Sequence, residues 1–211
     1  MYDQAIISEL VQFARIAPGA TVVDVYPGEG EWTRRFSDLV GPTGRVYGFV
    51  PAEVAHFKND PVGRMQALAN ERDNIEVISS DVVGLPTKRP IDVLWIHLFY
   101  HDLHTPLIQA KGATAAAFNR AVFERLAPGG AYVIIDHAAA SGSDASVAQS
   151  LHRIDPAIVR AEVEAAGFTL DAETSLLAQP TDSHATKVFD PSIKGATDRF
   201  AYRFVKPSSA S

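Results

Sequence analysis

Residues 21–30 read TVVDVYPGEG, a short run of β-branched residues that ends in two closely spaced glycines. The run predicts a buried strand, and the segment from about Trp32 to Val40 predicts a helix directly after the turn. Gly28 and Gly30 allow the backbone to turn tightly and to approach a ligand without a Cβ clash. The amino end of the following helix favours an anionic group at that point. A tight strand-to-helix turn that binds no ligand is the alternative.

Outward from this turn, strand-like and helix-like segments alternate along the chain. Six further runs predict strands, at residues 45–50, 75–79, 91–98, 131–136, 168–177 and 200–206. Apolar residues at helical spacing predict helices between them and an amino-terminal helix within residues 1–17. This pattern is typical of an α/β fold, a doubly wound and mostly parallel seven-stranded sheet with helices on both faces. Ligands of such sheets bind at the carboxyl ends of the strands.

The composition is that of a folded chain without thiol chemistry. The 211 residues are 46% apolar, which predicts a single domain over residues 1–206, and residues 207–211 predict a frayed tail. Because there is no cysteine, disulfides, zinc–thiolate sites and cysteine nucleophiles are excluded. No apolar run has the length of a membrane span, and the amino terminus lacks a signal-peptide pattern. We therefore expect a cytoplasmic protein, and an exported precursor with a removed leader stays open.

The charge argues against a nucleic-acid partner. With 19 basic and 25 acidic residues the net charge is −6, and the closest approach to a basic stripe is the pairs at 34–35 and 88–89. Such pairs are typical of a solvated surface. We expect a small-molecule substrate, no nucleic acid and no membrane partner. The long polar loop at 179–195 predicts a lid or an interface, which leaves a homodimer open.

Three common motifs are missing. The nicotinamide pattern G-x-G-x-x-G needs a third glycine where this chain has Thr33, which disfavours a dehydrogenase. The G-x-S-x-G elbow of serine hydrolases and the P-loop of nucleotide-binding proteins do not occur either.

Five stretches together resemble the ordered motifs of class I S-adenosylmethionine-dependent methyltransferases, over residues 18–206. They are VVDVYPGEG, GRVYGFV, NIEVISSDVVGLP, IDVLWIHLFYHDL and LAPGGAYVIIDH. More narrowly, PGEGEWT, YHDL, LHRID and EAAGF resemble a bacterial group of predicted small-molecule methyltransferases. The resemblance implies a single Rossmann-like domain, S-adenosylmethionine as cofactor and transfer of a methyl group to a small molecule.

The resemblance also assigns cofactor-binding residues. It implies that Asp24, Gly28 and Gly30 line the pocket for the methionine half of the cofactor. It implies that Asp81 contacts the adenine amino group, with Val82 beside the ring. The alternative for Asp81 is a helix-capping role, because aspartate is common in turns.

The chain departs from the family pattern at two places. Tyr26 stands where the first glycine of the family's turn is usual, and Val50-Pro51 end the second strand where an acid usually holds the ribose. The nearest acid is Glu53, which we expect to reach the ribose hydroxyls, the alternative being a charge at a helix amino terminus. Tyr26 and His97 complete the expected cofactor-binding set. The alternative for His97 is a hydrogen-bonded core residue.

Histidines and aspartates gather after the fourth and fifth strands. Methyl transfer to a hydroxyl or a protonated amine benefits from a general base, and histidine suits that role near neutral pH. We predict His101 or His137 as the base, with Tyr100 and Arg153 orienting the acceptor. Arg153 in a structural ion pair is an equal alternative. The full predicted catalytic set is Tyr100, His101, Asp136, His137, His152 and Arg153.

The same loops carry a second interpretation. Histidine nitrogens and carboxylate oxygens suit zinc, manganese or iron. The residues concerned are His101, Asp102, His104, Asp136, His137 and His152. Their spacing matches no regular metal motif, so we predict no metal ligand. Two alternatives to the methyltransferase remain at this stage. One is a metal-assisted lyase, isomerase or hydrolase on the same fold, and the other is a non-catalytic binding protein.

His104 is expected at the surface, and Asp155 before Pro156 is expected to be a plain helix N-cap.

Overall fold

The apolar runs of the sequence form the strands of one seven-stranded sheet in the computed structural model, which describes residues 2–208. The strands are β1 (Thr21–Val25), β2 (Arg45–Pro51), β3 (Ile75–Ser80), β4 (Ile91–His97), β5 (Leu126–His137), β6 (Thr169–Thr174) and β7 (Arg199–Val205). The helices are α1 (Gln4–Ala14), α2 (Glu31–Val40), α3 (Pro61–Glu71), α4 (Pro106–Gln109), α5 (Ala115–Arg125), α6 (Val147–Leu151) and α7 (Pro156–Ala165). Of the predicted frayed tail at 207–211, residues 209–211 lie outside the described residues.

The strand order is β3-β2-β1-β4-β5-β7-β6. Strands β1 to β5 pair in parallel, whereas β7 is antiparallel to both β5 and β6. The chain therefore builds outward from β1 to β3 and returns to β4 on the other side of β1. This confirms the predicted doubly wound, mostly parallel sheet. The switch point lies between β1 and β4, so the loops after these two strands border the crevice where such sheets bind ligands.

The centre of the sheet is covered on both faces. All five residues of β1 are buried, and side chains of a strand point alternately to its two faces. Trp95 of β4 is fully buried, and its ring lies 4.8 Å from the ring of Trp32 and 5.3 Å from that of Phe36, between centroids. These aromatic contacts fix α2 against the sheet directly beside the turn that follows β1.

Local signals in the sequence set several helix boundaries. Asp155 is the N-cap of α7, as expected, because its Oδ1 accepts a hydrogen bond of 2.9 Å from the backbone N–H of Ala157. Its Oδ2 accepts a second bond, from the N–H of Gly142. Asp155 thus caps the helix and also fastens the loop that follows β5.

Three features differ from the sequence prediction. Strand β5 begins at Leu126, not near residue 131, because Leu126 pairs with Ile91 and the Pro-Gly-Gly stretch lies within the strand. A 3₁₀ turn covers Tyr100–His104, in a segment predicted as loop. The short helices α4 and α6 were not predicted, because four or five residues are too few to show a helical period. Within residues 2–208 no helix combines the length and the apolar character needed to cross a membrane.

Candidate active site

The turn after β1 is open at one glycine and tightly packed at the other. Both glycines are left-handed, with φ +60° at Gly28 and +73° at Gly30. A Cβ on Gly30 would lie 2.5 Å from Cε of Met65 and 2.8 Å from Cδ2 of Leu68, so a side chain here would have to displace two side chains of α3 as well as adopt a left-handed φ. A Cβ on Gly28 would meet no atom within 4 Å, so there is room for a bound group beside this backbone. Gly30 is also the N-cap of α2, whose positive end faces the turn.

Asp24 lies in β1 and is hydrogen-bonded to α2. Oγ1 of Thr33 donates to Oδ2 of Asp24 at 2.6 Å, and Asp24 is only 1% exposed. Burial raises the pKa of Asp24 to about 7, although the hydrogen bonds from Thr33 act in the opposite direction. Thr33 therefore joins α2 to the sheet at the position where a nicotinamide motif has its third glycine. The role of Asp24 beside the methionine half of the cofactor stays a prediction.

Tyr26 has the backbone conformation of the glycine that it replaces. Its φ of +52° is left-handed, a region that glycine enters without a steric penalty. Its ring lies 5.0 Å from the ring of Phe99, between centroids, and so connects the loops after β1 and β4. An aromatic contact across the crevice thus accompanies the loss of glycine at this position.

Glu53 joins the loops after β2 and β3. It is 1% exposed, and both of its carboxylate oxygens lie 3.1 Å from the backbone N–H of Val82, which donates to them. The alternative of a helix-terminal charge is wrong, because Glu53 lies in a turn and the next helix, α3, is capped by Asp60. Contact of Glu53 with a ribose stays a prediction, and it requires the carboxylate to turn away from Val82 or to be shared with it.

Asp81 is exposed at the carboxyl end of β3. Its backbone oxygen accepts a bond of 2.7 Å from the N–H of Gly84 and so closes the turn. Within residues 2–208 its carboxylate accepts no hydrogen bond, so the capping alternative is not observed. The carboxylate is free for a ligand, and Val82 next to it is fully buried.

His97 ends β4 and forms part of the wall of a cavity of about 170 Å³. Its Nε2 lies 3.0 Å from the hydroxyl of Tyr2, and burial followed by the charge of Arg199 lowers its pKa to about 3. The hydrogen bond matches the alternative interpretation of His97. Trp32 and Arg199 line the same cavity, so His97 is a neutral wall residue of the crevice.

His101 and Asp136 form a buried pair across adjacent strand ends. Asp136, one residue before the end of β5, is fully buried, and it accepts from Nδ1 of His101 at 2.8 Å and from the backbone N–H of His101 at 2.7 Å. Burial lowers the pKa of His101, but the charge and hydrogen bond of Asp136, with the charge of Asp102, outweigh it and raise that pKa. The same pairing outweighs burial at Asp136 and lowers its pKa. The sequence predicted both residues at this edge.

His152 and Asp102 border the other nitrogen of His101. Nε2 of His101 lies 3.3 Å from Nδ1 of His152 and 3.7 Å from Oδ1 of Asp102. Burial, and then the charge of His101, lowers the pKa of His152 to about 4. Burial raises the pKa of Asp102 to about 6, although His101 acts in the opposite direction. The structure therefore places His152, at the carboxyl end of α6, next to the His101–Asp136 pair.

His137 lies next to this group but has a different partner. Its Nδ1 is 2.8 Å from Oγ1 of Thr197, and its ring centroid is 6.1 Å from that of His101. Burial is the main cause that lowers its pKa to about 3. A histidine with so low a pKa is a weak base near neutral pH, so His101 is the better candidate of the two.

Tyr100 and Arg153 are core residues, contrary to the predicted contact with an acceptor. Tyr100 is fully buried, donates to Oε2 of Glu162 and accepts from Nδ2 of Asn119, both at 2.8 Å. Arg153 is also fully buried, and its guanidinium binds both carboxylate oxygens of Asp182, at 2.8 and 3.1 Å. The structural ion pair is therefore the correct interpretation of Arg153. His104 is only partly exposed, because its Nε2 lies 3.1 Å from Oε2 of Glu162.

Several residues of the site were not among the candidates predicted from the sequence. They are Tyr2, Trp32, Phe99, Asp182, Thr197 and Arg199. Trp32 and Phe99 do stand within stretches quoted for the resemblance, Trp32 just after the glycine turn and Phe99 directly before Tyr100. Tyr2 comes from the amino-terminal segment, and Asp182 and Thr197 come from the polar loop before β7, where no periodicity marks them. Arg199 is the first residue of β7.

The fold is shared with solved structures: the chain has the fold of class I S-adenosylmethionine-dependent methyltransferases. A methyltransferase of this type from Aquifex aeolicus is 17% identical, with a TM-score of 0.64 over 94% of this chain and 88% of that one. The [4+2]-cyclase SpnF is 13% identical, with a TM-score of 0.66 over 97% and 80%. At such identities the likeness shows the fold alone.

One curated relative adds a likeness in sequence. The ubiquinone/menaquinone biosynthesis C-methyltransferase UbiE of Hahella chejuensis is 39% identical over 72 residues. The match covers 34% of this chain and 27% of the relative's length. No protein-family model matches the chain.

Proposed function

We propose that the protein is an S-adenosylmethionine-dependent methyltransferase that acts on a small molecule. The observation that carries the proposal is the pairing of an open glycine turn after β1 with a buried His–Asp pair at the carboxyl ends of β4 and β5, on either side of the switch point. The name of the curated relative, a methyltransferase of ubiquinone and menaquinone biosynthesis, supports a small-molecule acceptor. The net charge of −6 supports the expectation of no nucleic-acid partner.

The residues present fit the cofactor at two points. Gly28 leaves open space next to the positive end of α2, which suits a carboxylate. Asp81 offers a free, exposed carboxylate at the end of β3, which suits an amino group as hydrogen-bond donor. Bound there, S-adenosylmethionine supplies an electrophilic methyl group. Tyr26 and Glu53 would shape the middle of the pocket.

His101 would act as the proton acceptor. Because Asp136 accepts the Nδ1 proton, the neutral imidazole keeps a lone pair on Nε2. This nitrogen is directed toward Asp102 and His152, whose side chains are 17% and 24% exposed. The proton of an acceptor hydroxyl or ammonium would move to Nε2, which increases the nucleophilicity of the acceptor oxygen or nitrogen.

Calorimetric titration with S-adenosylmethionine and S-adenosylhomocysteine tests cofactor binding. We expect micromolar affinity for both, weakened about tenfold or more in Asp81→Asn, because a hydrogen bond to a charged group is lost. Asp73→Asn, the same change at an exposed aspartate in the turn before β3, is the matched control. Glu53→Gln tests the ribose contact and retains an oxygen for Val82 N–H. Absence of binding at millimolar ligand would refute the methyltransferase proposal.

A screen of small-molecule acceptors, read as release of S-adenosylhomocysteine, tests the base. We expect His101→Gln to abolish turnover while it leaves cofactor affinity unchanged, and His137→Gln to retain turnover. Full turnover in His101→Gln would show that this histidine is not the base. Cofactor binding without turnover for any acceptor would favour the non-catalytic alternative.

Homodimer formation stays a prediction.

A further inference from the structure

Three side chains, the proposed base His101 and its neighbours Asp102 and His152, bring their ligand atoms close together. The distances are 3.3 Å between Nε2 of His101 and Nδ1 of His152, 3.7 Å between Nε2 of His101 and Oδ1 of Asp102, and 4.0 Å between Nδ1 of His152 and that same oxygen. We propose that His101, Asp102 and His152 form a binding site for one divalent transition-metal ion of the zinc type.

The triangle has the dimensions of a set of metal ligands. A tetrahedral ion with bonds of about 2.05 Å holds neighbouring ligand atoms about 3.4 Å apart. The histidine pair already has this separation, at 3.3 Å. Asp102 is the farthest member, and its side chain is 17% exposed, so a small rotation toward the ion brings its oxygen into range.

A partner outside the triangle fixes the orientation of His101. Its Nδ1 lies 2.8 Å from Oδ1 of the fully buried Asp136, so Nε2 is directed at the other two ligands. Histidines that bind metals almost always donate their second N–H to a carboxylate, a carbonyl oxygen or water in this way. On the opposite side, the ring of His152 contacts the ring of Phe189, with 4.7 Å between centroids. Two of the three ligands are therefore oriented before an ion arrives.

The donor set indicates which ions bind. Two imidazole nitrogens and one carboxylate oxygen suit Zn²⁺, Co²⁺ and related ions, whereas Mg²⁺ and Ca²⁺ prefer oxygen ligands alone. His101 is buried, but the partial exposure of Asp102 and His152 gives an ion a route from solvent. With three protein ligands, at least one coordination position stays open to water or to another oxygen ligand.

Occupancy of this site would change how an acceptor is activated. Nε2 of His101 cannot bind an ion and accept a proton at the same time. A coordinated hydroxyl has a lowered pKa, so a bound ion would replace the histidine as the activating group. This consequence rests on the proposed function, whereas the metal site itself does not.

Titration with Co²⁺ and Zn²⁺ tests the site directly. Protein made without a histidine tag is treated with a chelator, dialysed, and titrated with Co²⁺ while the visible absorption is recorded, and Zn²⁺ is then added to displace it. We expect one Co²⁺ per chain, displacement by Zn²⁺, and no displacement by excess Mg²⁺. Failure to bind either ion at micromolar concentration, or equal competition by Mg²⁺, would overturn the proposal.

Variants assign the ligands. Asp102→Asn and His152→Gln should each weaken Co²⁺ binding by about 100-fold or more, and Asp136→Asn should weaken it about 10–100-fold through the orientation of His101. His104→Gln is the control, because this histidine lies in the same 3₁₀ turn but contacts Glu162. Thermal melts confirm that each variant is folded. Wild-type affinity in both ligand variants would contradict the assignment. Binding of S-adenosylhomocysteine to the chelator-treated protein is measured separately, so a failure of either proposal is distinguishable from a failure of the other.

Discussion

Replacing Asp136 with asparagine should destabilise the protein by about 3 kcal/mol, the lower end of the cost of breaking a buried ion pair. Asp136 accepts three hydrogen bonds, from Nδ1 and the backbone N–H of His101 and from the backbone N–H of His137. Asparagine has the same shape but no charge. Its NH₂ group would face one of the N–H donors that the carboxylate oxygen now accepts from, and that hydrogen bond would be lost. In a chain of this length the change should lower Tm by about 6–12 °C.

The pH dependence of the difference between wild type and Asp136→Asn follows from two shifts. The pKa of His101 is raised above 6.5, so its contribution is complete below pH 6.5 and is lost as the pH rises through the raised value. The pKa of Asp136 is lowered below 3.8, so its contribution is present above pH 3.8 and is lost as the pH falls through the lowered value. The difference in stability should therefore be largest between about pH 4 and pH 6.5 and should shrink in alkali.

Calorimetric or circular-dichroism melts of both proteins across this range provide the measurement. Asp73→Asn, the same substitution at an exposed position, should stay within about 0.5 kcal/mol of wild type. The reasoning is refuted if Asp136→Asn melts like this control, or if the difference in stability grows as the pH rises above 6.5.

Three further predictions concern stability. Thr33→Val removes the hydroxyl that donates to the buried Asp24 and should cost about 1–3 kcal/mol in urea unfolding, and an unchanged midpoint would contradict this. Arg153→Met leaves Asp182 buried without its partner and should cost about 3–5 kcal/mol, with faster proteolysis of the loop before β7, and resistance equal to wild type would argue against it. The pKa of His137 is lowered from 6.5 to about 3, so the wild type loses stability as the pH falls through this window because the unfolded chain binds a proton that the fold excludes. His137→Gln should therefore lose stability less steeply there, and melts with the same slope as wild type would refute it.

The fold could be predicted from the sequence because its strands are continuous apolar runs. Strand β4 is an example, since Ile91–His97 is almost entirely apolar and lies at the centre of the sheet. The boundary of β5 could not be predicted, because Pro128 and Gly129 are typical of a turn. Leu126 pairs with Ile91 of β4, and the backbone N–H of Gly129 donates to the carbonyl oxygen of Lys206, so contacts on both sides keep this stretch in the sheet. Tertiary contacts prevail there over local preference.

Contacts between side chains of the site could be predicted only where the strand order brings the residues close together. His101 and Asp136 lie at the carboxyl ends of the adjacent parallel strands β4 and β5, so their approach was expected from the strand order. The partner of Arg153 lies 29 residues further along, in a polar loop without periodicity, and nothing in the sequence distinguished an ion pair from an acceptor clamp. The contacts of Tyr100 could not be predicted either, because its hydrogen-bond partners come from two separate helices, α5 and α7.

The position of β7 has a consequence for the order in which the site is assembled. This last strand lies between β5 and β6, and the segment before it brings Thr197 to His137 and Asp182 to Arg153. The expected cofactor contacts, in contrast, all lie between residues 24 and 97, on strands that pair without β7. A domain generally folds as a unit, and β7 is the last of its strands in chain order. The contacts of His137 and Arg153 therefore cannot form until the segment that leads into β7 is present, although most of the expected cofactor contacts come from much earlier in the chain.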